Sequence, residues 1–280
     1  MAKITVAKSA GFCFGVKRAI DLAQDIASKN NDVYTFGPLI HNPQEVARLE
    51  KENIKVIEDY SKIDKGVLVL RTHGIPLDIY ENLSKKENIK IVDAACPFVK
   101  KAQDIIKELS NDSEQIVIVG ERKHPEVVAL VSYGKGKCVV VEDQKDIKNV
   151  KKTDIIYIVS QTTQSPKKFE EIVNEISKIS QVKVFNTICR ATFDRQSAAE
   201  KLAKEVDVMI VIGGKNSGNT TRLYQICSKI TKTYHIENVD EIEPAWFEKV
   251  ETVGITAGAS TPDWIIESIK GRIKEITNCQ

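Results

Sequence analysis

No run of apolar residues in this 280-residue chain approaches the ~18 that a membrane-spanning helix requires, so no membrane partner is expected. The opening Met-Ala-Lys-Ile-Thr-Val-Ala-Lys alternates like a strand and lacks the apolar centre of a secretory signal, which makes the expected location cytoplasmic. An excess of one charge is also missing. The 41 basic and 39 acidic side chains leave +2, which gives no basis for a nucleic-acid partner. Gly213-Gly214-Lys215-Asn216-Ser217 misses the spacing of a phosphate-binding P-loop, and no Gly-x-Gly-x-x-Gly dinucleotide fingerprint occurs. Histidine is scarce, with four in the chain, whereas cysteine occurs six times.

In a reducing compartment those cysteines are not expected to form a disulfide framework, and burial, metal binding or catalysis remain. Cys138 lies within the apolar run Cys138-Val139-Val140-Val141, and Cys227 shares a helical face with Leu223 and Ile230. Both read as small core hydrophobes. Cys279 stands at the terminus. The other three share one setting: Gly11-Phe12-Cys13-Phe14-Gly15, Asp93-Ala94-Ala95-Cys96-Pro97 and Asn186-Thr187-Ile188-Cys189-Arg190. Each follows a short β-rich run, and each precedes apolar residues at helical spacing, such as Val16, Ala19, Ile20 and Ala23 after Cys13.

Other segments repeat in register with these cysteines. A strand ending in Glu58-Asp59, Glu142-Asp143 or Glu237-Asn238 has an isoleucine five positions beyond its glutamate each time. One set of strand-to-helix corners carries His41-Asn42-Pro43, His124-Pro125-Glu126 and Asn216-Ser217-Gly218-Asn219. A second carries Thr72-His73-Gly74, Gln161-Thr162-Thr163 and Gly258-Ala259-Ser260, followed by Pro76, Pro166 and Pro262 at predicted helix starts. The expected fold is α/β: three similar modules with mainly parallel sheets, in a pseudo-threefold ring around a central iron–sulfur site. The expected modules are residues 14–97, 98–189 and 190–280, the last completed by the N-terminal strand within 1–13. Residues 3–7 are expected to pair in the sheet formed by residues 208–213 and 253–256.

Ligands of parallel α/β sheets gather at the carboxyl ends of the strands, where all these corners lie. Three thiolates from equivalent corners suit a 4Fe–4S cluster with an open fourth iron. A three-cysteine zinc site is the competing reading, although catalytic zinc usually includes histidine or carboxylate. His41, His73 and His124, with Ser217, Asn219 and Ser260, read as donors to an anion such as phosphate. Glu126 is either a proton donor in a closed site or a first-turn helix acid. Thr162 and Thr163 either orient that acid or the substrate, or cap the next helix.

Together these stretches resemble the 4-hydroxy-3-methylbut-2-enyl diphosphate reductases along essentially the whole chain. The resemblance also takes in Lys215-Asn216-Ser217, Arg222 and Thr256-Ala257-Gly258-Ala259-Ser260. It implies one 4Fe–4S cluster held by Cys13, Cys96 and Cys189, with the allylic hydroxyl of the substrate on the open iron. It implies a diphosphate gripped by His41, His73, His124, Ser217, Asn219 and Ser260, with Thr163 nearby. Glu126 is the implied proton source, with Thr162 and His124 beside it. Ferredoxin or flavodoxin is the implied electron donor, and isopentenyl and dimethylallyl diphosphate are the implied products. Where the family commonly has Ser-Ser-Asn, this chain has Ser217-Gly218-Asn219. Gly218 forgoes a hydroxyl but keeps its N–H.

Overall fold

The computed structural model describes residues 2–215 and 217–278; Asn216 and Cys279, named above, lie outside them. The chain opens with β1 (Lys3–Val6), α1 (Phe14–Ala27), β2 (Val33–Phe36), α2 (Pro43–Lys51), β3 (Ile54–Ile57), β4 (Gly66–Leu70), α3 (Leu77–Leu83) and β5 (Ile89–Asp93). It continues with α4 (Pro97–Asp112), β6 (Ile116–Val119), α5 (Pro125–Tyr133), β7 (Cys138–Val141), β8 (Ile155–Ser160), α6 (Pro166–Ser177) and β9 (Gln181–Phe185). The last part is α7 (Arg190–Ala203), β10 (Val208–Ile212), α8 (Gly218–Cys227), β11 (Lys232–Ile236), β12 (Thr252–Ala257) and α9 (Asp263–Asn278). Pro166 opens α6, whereas Pro76 and Pro262 stand one residue ahead of α3 and α9.

These strands form three four-stranded sheets, ordered β3-β2-β4-β5, β7-β6-β8-β9 and β1-β12-β10-β11, and every pairing is parallel. In the third sheet the strand at the position of β5 and β9 is β1. It comes from the other end of the chain, with Lys3 opposite Thr252 and Val6 opposite Ile255. The middle strands have helices on both faces and are nearly continuous apolar runs, as parallel sheets require. Alternate residues of β10 serve opposite faces. Val208, Ile210 and Ile212 join Ile265, Ile269 and Ile273 of α9, whereas Met209 and Val211 join Ala199, Leu202, Leu223 and Cys227 of α7 and α8. Strand β6 divides the same way. Ile116 and Ile118 pack with Ile106 and Leu130, and Val117 and Val119 with Phe169, Ile172 and Ile176.

The chain clusters into two compact units, one of Met1–Lys17, Ile40–Arg48 and Arg190–Gln280, the other of Arg18–Leu39 and Leu49–Cys189. The third sheet lies in the former and the other two in the latter. In each sheet the order reverses between the two middle strands, β2/β4, β6/β8 and β10/β12. Chain segments leaving such a pair at its carboxyl end part to opposite faces and open a crevice. All the histidine, serine, threonine and glutamate corners follow one of these six strands.

Candidate functional site

In the unit that holds the first two sheets, β6 leads through Gly120 to His124, which caps α5. The ring Nδ1 of His124 accepts the Glu126 N–H at 3.2 Å, so the neutral ring carries its proton on Nε2. That cap sets Glu126 in the first turn of α5, where it is 1% exposed. Thr162, at the neighbouring corner after β8, donates its N–H to Glu126 Oε1 at 2.6 Å and its hydroxyl to Oε2 at 2.8 Å. Burial raises the Glu126 carboxyl from 4.5 to about 7 against the pull of these two donors. The two corners approach closely: a Cβ on Gly120 would lie 2.7 Å from Val127 Cγ2 and 2.9 Å from Gln161 Cβ. His73, after β4, meets His124 edge to face, with ring centroids 5.5 Å apart.

The other unit presents a more neutral set. Gly213 ends β10 with φ +138°, and a Cβ there would stand 2.7 Å from Thr261 Oγ1, so the turn into α8 needs glycine. Ser217 caps α8, accepting the Thr220 N–H at 3.4 Å, and exposed Gly218 opens the helix. Asn219 is 8% exposed, and neither its amide nitrogen nor its amide oxygen has a partner among the described residues. A buried, unpaired primary amide costs about 1–3 kcal/mol, which a bound anion offsets by accepting from it. Ser260, 7% exposed, donates its hydroxyl to the His41 carbonyl at 3.0 Å.

The three cysteines occupy one backbone position. Cys13 donates its N–H to Ala259 O at 3.1 Å, Cys96 to Thr72 O at 3.0 Å and Cys189 to Thr162 O at 2.8 Å. The acceptors lie in the corners after β12, β4 and β8, and each cysteine directly precedes a helix, α1, α4 or α7. All three are half-buried and outside any disulfide. By contrast, burial pushes the Cys138 and Cys227 thiols up to about 12 and about 11, which disfavours the thiolate. Each of the three has the chemistry of a thiolate ligand to iron: a half-buried sulfur at a helix start, where partial positive charge favours the anion.

Two contributors carry no clear sequence signal. Arg195, 4% exposed on α7, donates to Gly11 O at 2.8 Å and ties down the loop that leads to Cys13. Its only sign in the sequence is an arginine on the same helical face as Ala199 and Leu202. Gln161 braces both corners of the second sheet, accepting the Glu121 N–H and donating to Thr163 Oγ1, each at 2.9 Å.

The LytB protein family matches residues 4–274. A 4-hydroxy-3-methylbut-2-enyl diphosphate reductase of Aquifex aeolicus is 48% identical over 286 aligned positions, covering 100% of this chain and 99% of that one. The enzyme of the same name from Pelobacter propionicus is 47% identical, with 98% of each chain covered. A solved structure of (E)-4-hydroxy-3-methyl-but-2-enyl diphosphate reductase, described as the terminal enzyme of the non-mevalonate pathway, superposes with TM-score 0.76 at 48% identity, over 98% of this chain and 100% of that one. The Plasmodium falciparum E-1-hydroxy-2-methyl-but-2-enyl-4-diphosphate reductase superposes with TM-score 0.89 at 25% identity, over 96% and 87%.

Proposed function

Because this chain belongs to the LytB protein family, whose relatives above are 4-hydroxy-3-methylbut-2-enyl diphosphate reductases, we propose that it reduces that allylic diphosphate to isopentenyl and dimethylallyl diphosphate. The allylic C–O bond breaks, two electrons and two protons enter, the hydroxyl leaves as water, and a C–H bond forms at either end of the allyl unit. Cys13, Cys96 and Cys189 are the residues that would hold one 4Fe–4S cluster with an open fourth iron, which would supply the electrons. Reduced ferredoxin or flavodoxin supplies them, in the cytoplasm.

The chain's own residues bind the substrate and handle protons. Ser217, the N–H groups of Gly218 and Asn219, and the Asn219 side chain offer donors at the start of α8, where the helix dipole favours phosphate oxygens. Ser260 and the rings of His41, His73 and His124 add donors, and Thr163 contributes a hydroxyl. Glu126 delivers the proton that leaves with the hydroxyl, and Thr162 holds its carboxyl in place. The observation that carries this reading is the Glu126 carboxyl, 1% exposed, gripped by two Thr162 donors and titrating at about 7. A group poised there is half protonated at neutral pH and is both an available and a competent acid.

The test is anaerobic reconstitution of the cluster, followed by a chemical reductant and the hydroxylated allylic diphosphate. Both C5 diphosphates are expected, with no turnover when reductant is omitted. Turnover without reductant would instead indicate a dehydratase, and a cluster unmoved by the substrate, with no product, would indicate an electron carrier or sensor.

A further inference from the structure

The repeated acidic strand ends at Glu58, Glu142 and Glu237 have no part in the site above. In two of the three sheets they build the same device. Glu237, just past β11, accepts the Lys215 N–H on Oε1 at 2.6 Å. Its own N–H goes to Glu241 Oε1 at 2.8 Å, and Glu241 Oε2 takes Lys215 Nζ at 2.6 Å. In the second sheet Glu142, just past β7, accepts the Arg122 N–H on Oε2 at 3.3 Å. Its N–H goes to Asp146 Oδ2 at 2.8 Å, and Asp146 Oδ1 pairs with Arg122 Nη2 at 3.1 Å.

Lys215 and Arg122 are equivalent residues. Each stands two positions after a glycine, Gly213 or Gly120, whose N–H closes onto the outer strand at Ile236 O or Val141 O. Each also stands two positions before a corner residue, Ser217 or His124. We propose that Glu237 with Glu241, and Glu142 with Asp146, are latches that set the position of the two loops delivering the proposed phosphate donors and the proposed proton donor. All four are positioning residues.

The first sheet has no such latch. Gly37 closes onto Ile57 O in the same way, but the loop position is Leu39, 1% exposed, and the acid found four residues beyond Glu142 and Glu237 is replaced, four beyond Glu58, by Lys62. That loop is held by burial and by Thr72, whose hydroxyl donates to Leu39 O at 3.1 Å. The latch thus stands where the loop residue is polar and half-solvated, and an apolar anchor replaces it where the residue is buried.

Within a latch the ion pairs are exposed, 58% and 28% for Lys215 and Glu241, and 51% and 23% for Arg122 and Asp146, so they contribute little by themselves. The weight falls on the charge-assisted bonds from backbone N–H to carboxylate. Asp146 titrates below the usual carboxylate range chiefly because it accepts the Glu142 N–H. In Glu241 burial pushes the carboxyl up, but Lys215 and the backbone donors bring it lower overall.

The kinetic side of the test rests on the proposed reductase reading; the exchange side does not. In the holoenzyme, Glu237→Ala is expected to speed hydrogen exchange of the Lys215 amide and raise KM for the diphosphate about tenfold, the loss of one charge-assisted hydrogen bond, with kcat little changed. Glu142→Ala is expected to speed exchange at Arg122 and lower kcat while KM stays near its original value. Glu237→Gln and Glu142→Gln keep an acceptor oxygen and are expected to recover most of each loss, and they serve where an alanine variant fails to fold. Unchanged exchange at Lys215 and Arg122 would overturn the latches, as would equal effects of both alanine variants on KM and kcat. A wild-type enzyme inactive on the allylic diphosphate, with faster exchange in the alanine variants, would overturn the reductase reading and leave the latches standing.

Discussion

Glu126 and Asn219 show at the level of single side chains how far the site departs from what stability would select. Glu126 has a folded-state pKa of about 7 against an ordinary 4.5, so between those values the folded protein holds a proton that the unfolded chain has lost. Its contribution therefore falls as pH rises through that window and stays low above it, by about 3 kcal/mol in all. Glu126→Gln removes the titration. Denaturant unfolding is expected to show the variant gaining on wild type by about that amount between pH 4.5 and pH 8. The same variant is expected to lose at least about a hundredfold in turnover, the lower end of what general acid catalysis supplies, while keeping its cluster spectrum. Thr162→Val deletes one of the two donors that hold the pKa down, so the midpoint at which turnover falls with rising pH is expected to move upward. Asn219→Ala removes two buried, unpartnered amide atoms. It is expected to leave thermal stability equal or higher and to raise KM for the diphosphate at least about tenfold. A lower Tm with unchanged KM would make Asn219 a structural residue. The residue types were legible from the chain at His124-Pro125-Glu126 and Gln161-Thr162-Thr163. That Glu126 is buried was not, because an exposed first-turn helix acid and a buried one look alike until the packing and the Thr162 contacts are known.

The element that recurs is a parallel strand ending in a corner that feeds a helix, and it explains why three of the cysteines differ from the rest. Cys13, Cys96 and Cys189 sit beyond strand ends with their N–H groups fixed to the neighbouring corner, leaving the side chains half-buried. Cys138 and Cys227 lie in a strand and a helix with their thiols in apolar surroundings. Cys96→Ser is expected to lose most of the cluster absorbance, as removal of one of three thiolate ligands implies. Cys138→Ser and Cys227→Ala are expected to retain it. An intact spectrum in Cys96→Ser would remove that residue from the ligand set. The alternation within β6 and β10 was readable because period-two patterning follows from the pleat itself. The bracing by Arg195 and Gln161 was not, since neither residue type at its position announces a long-range partner.

At the scale of the molecule, three sheets share one strand order, and the third takes its outer strand from the start of the chain. That strand is held by its ladder, including the Ala7 N–H to Ile255 O at 2.8 Å, and its loop carries Cys13. Ala7→Pro deletes this bond and is expected to cost about 1–3 kcal/mol in unfolding free energy and to lower iron content on reconstitution, because Cys13 loses its fixed position. Full stability and full iron content in that variant would show that the pairing is dispensable. The sequence by itself determined the α/β class, the repeat of corners and cysteines, and the place of the N-terminal strand in the last sheet, because these follow from apolar period, turn chemistry and chain order. Tertiary structure alone decided which corner carries a proton near neutral pH, which amide is left without a partner, and which loops are latched by an acid and which by a buried leucine. Those properties depend on how much water and how many donors reach one atom, and residues distant in the chain set both.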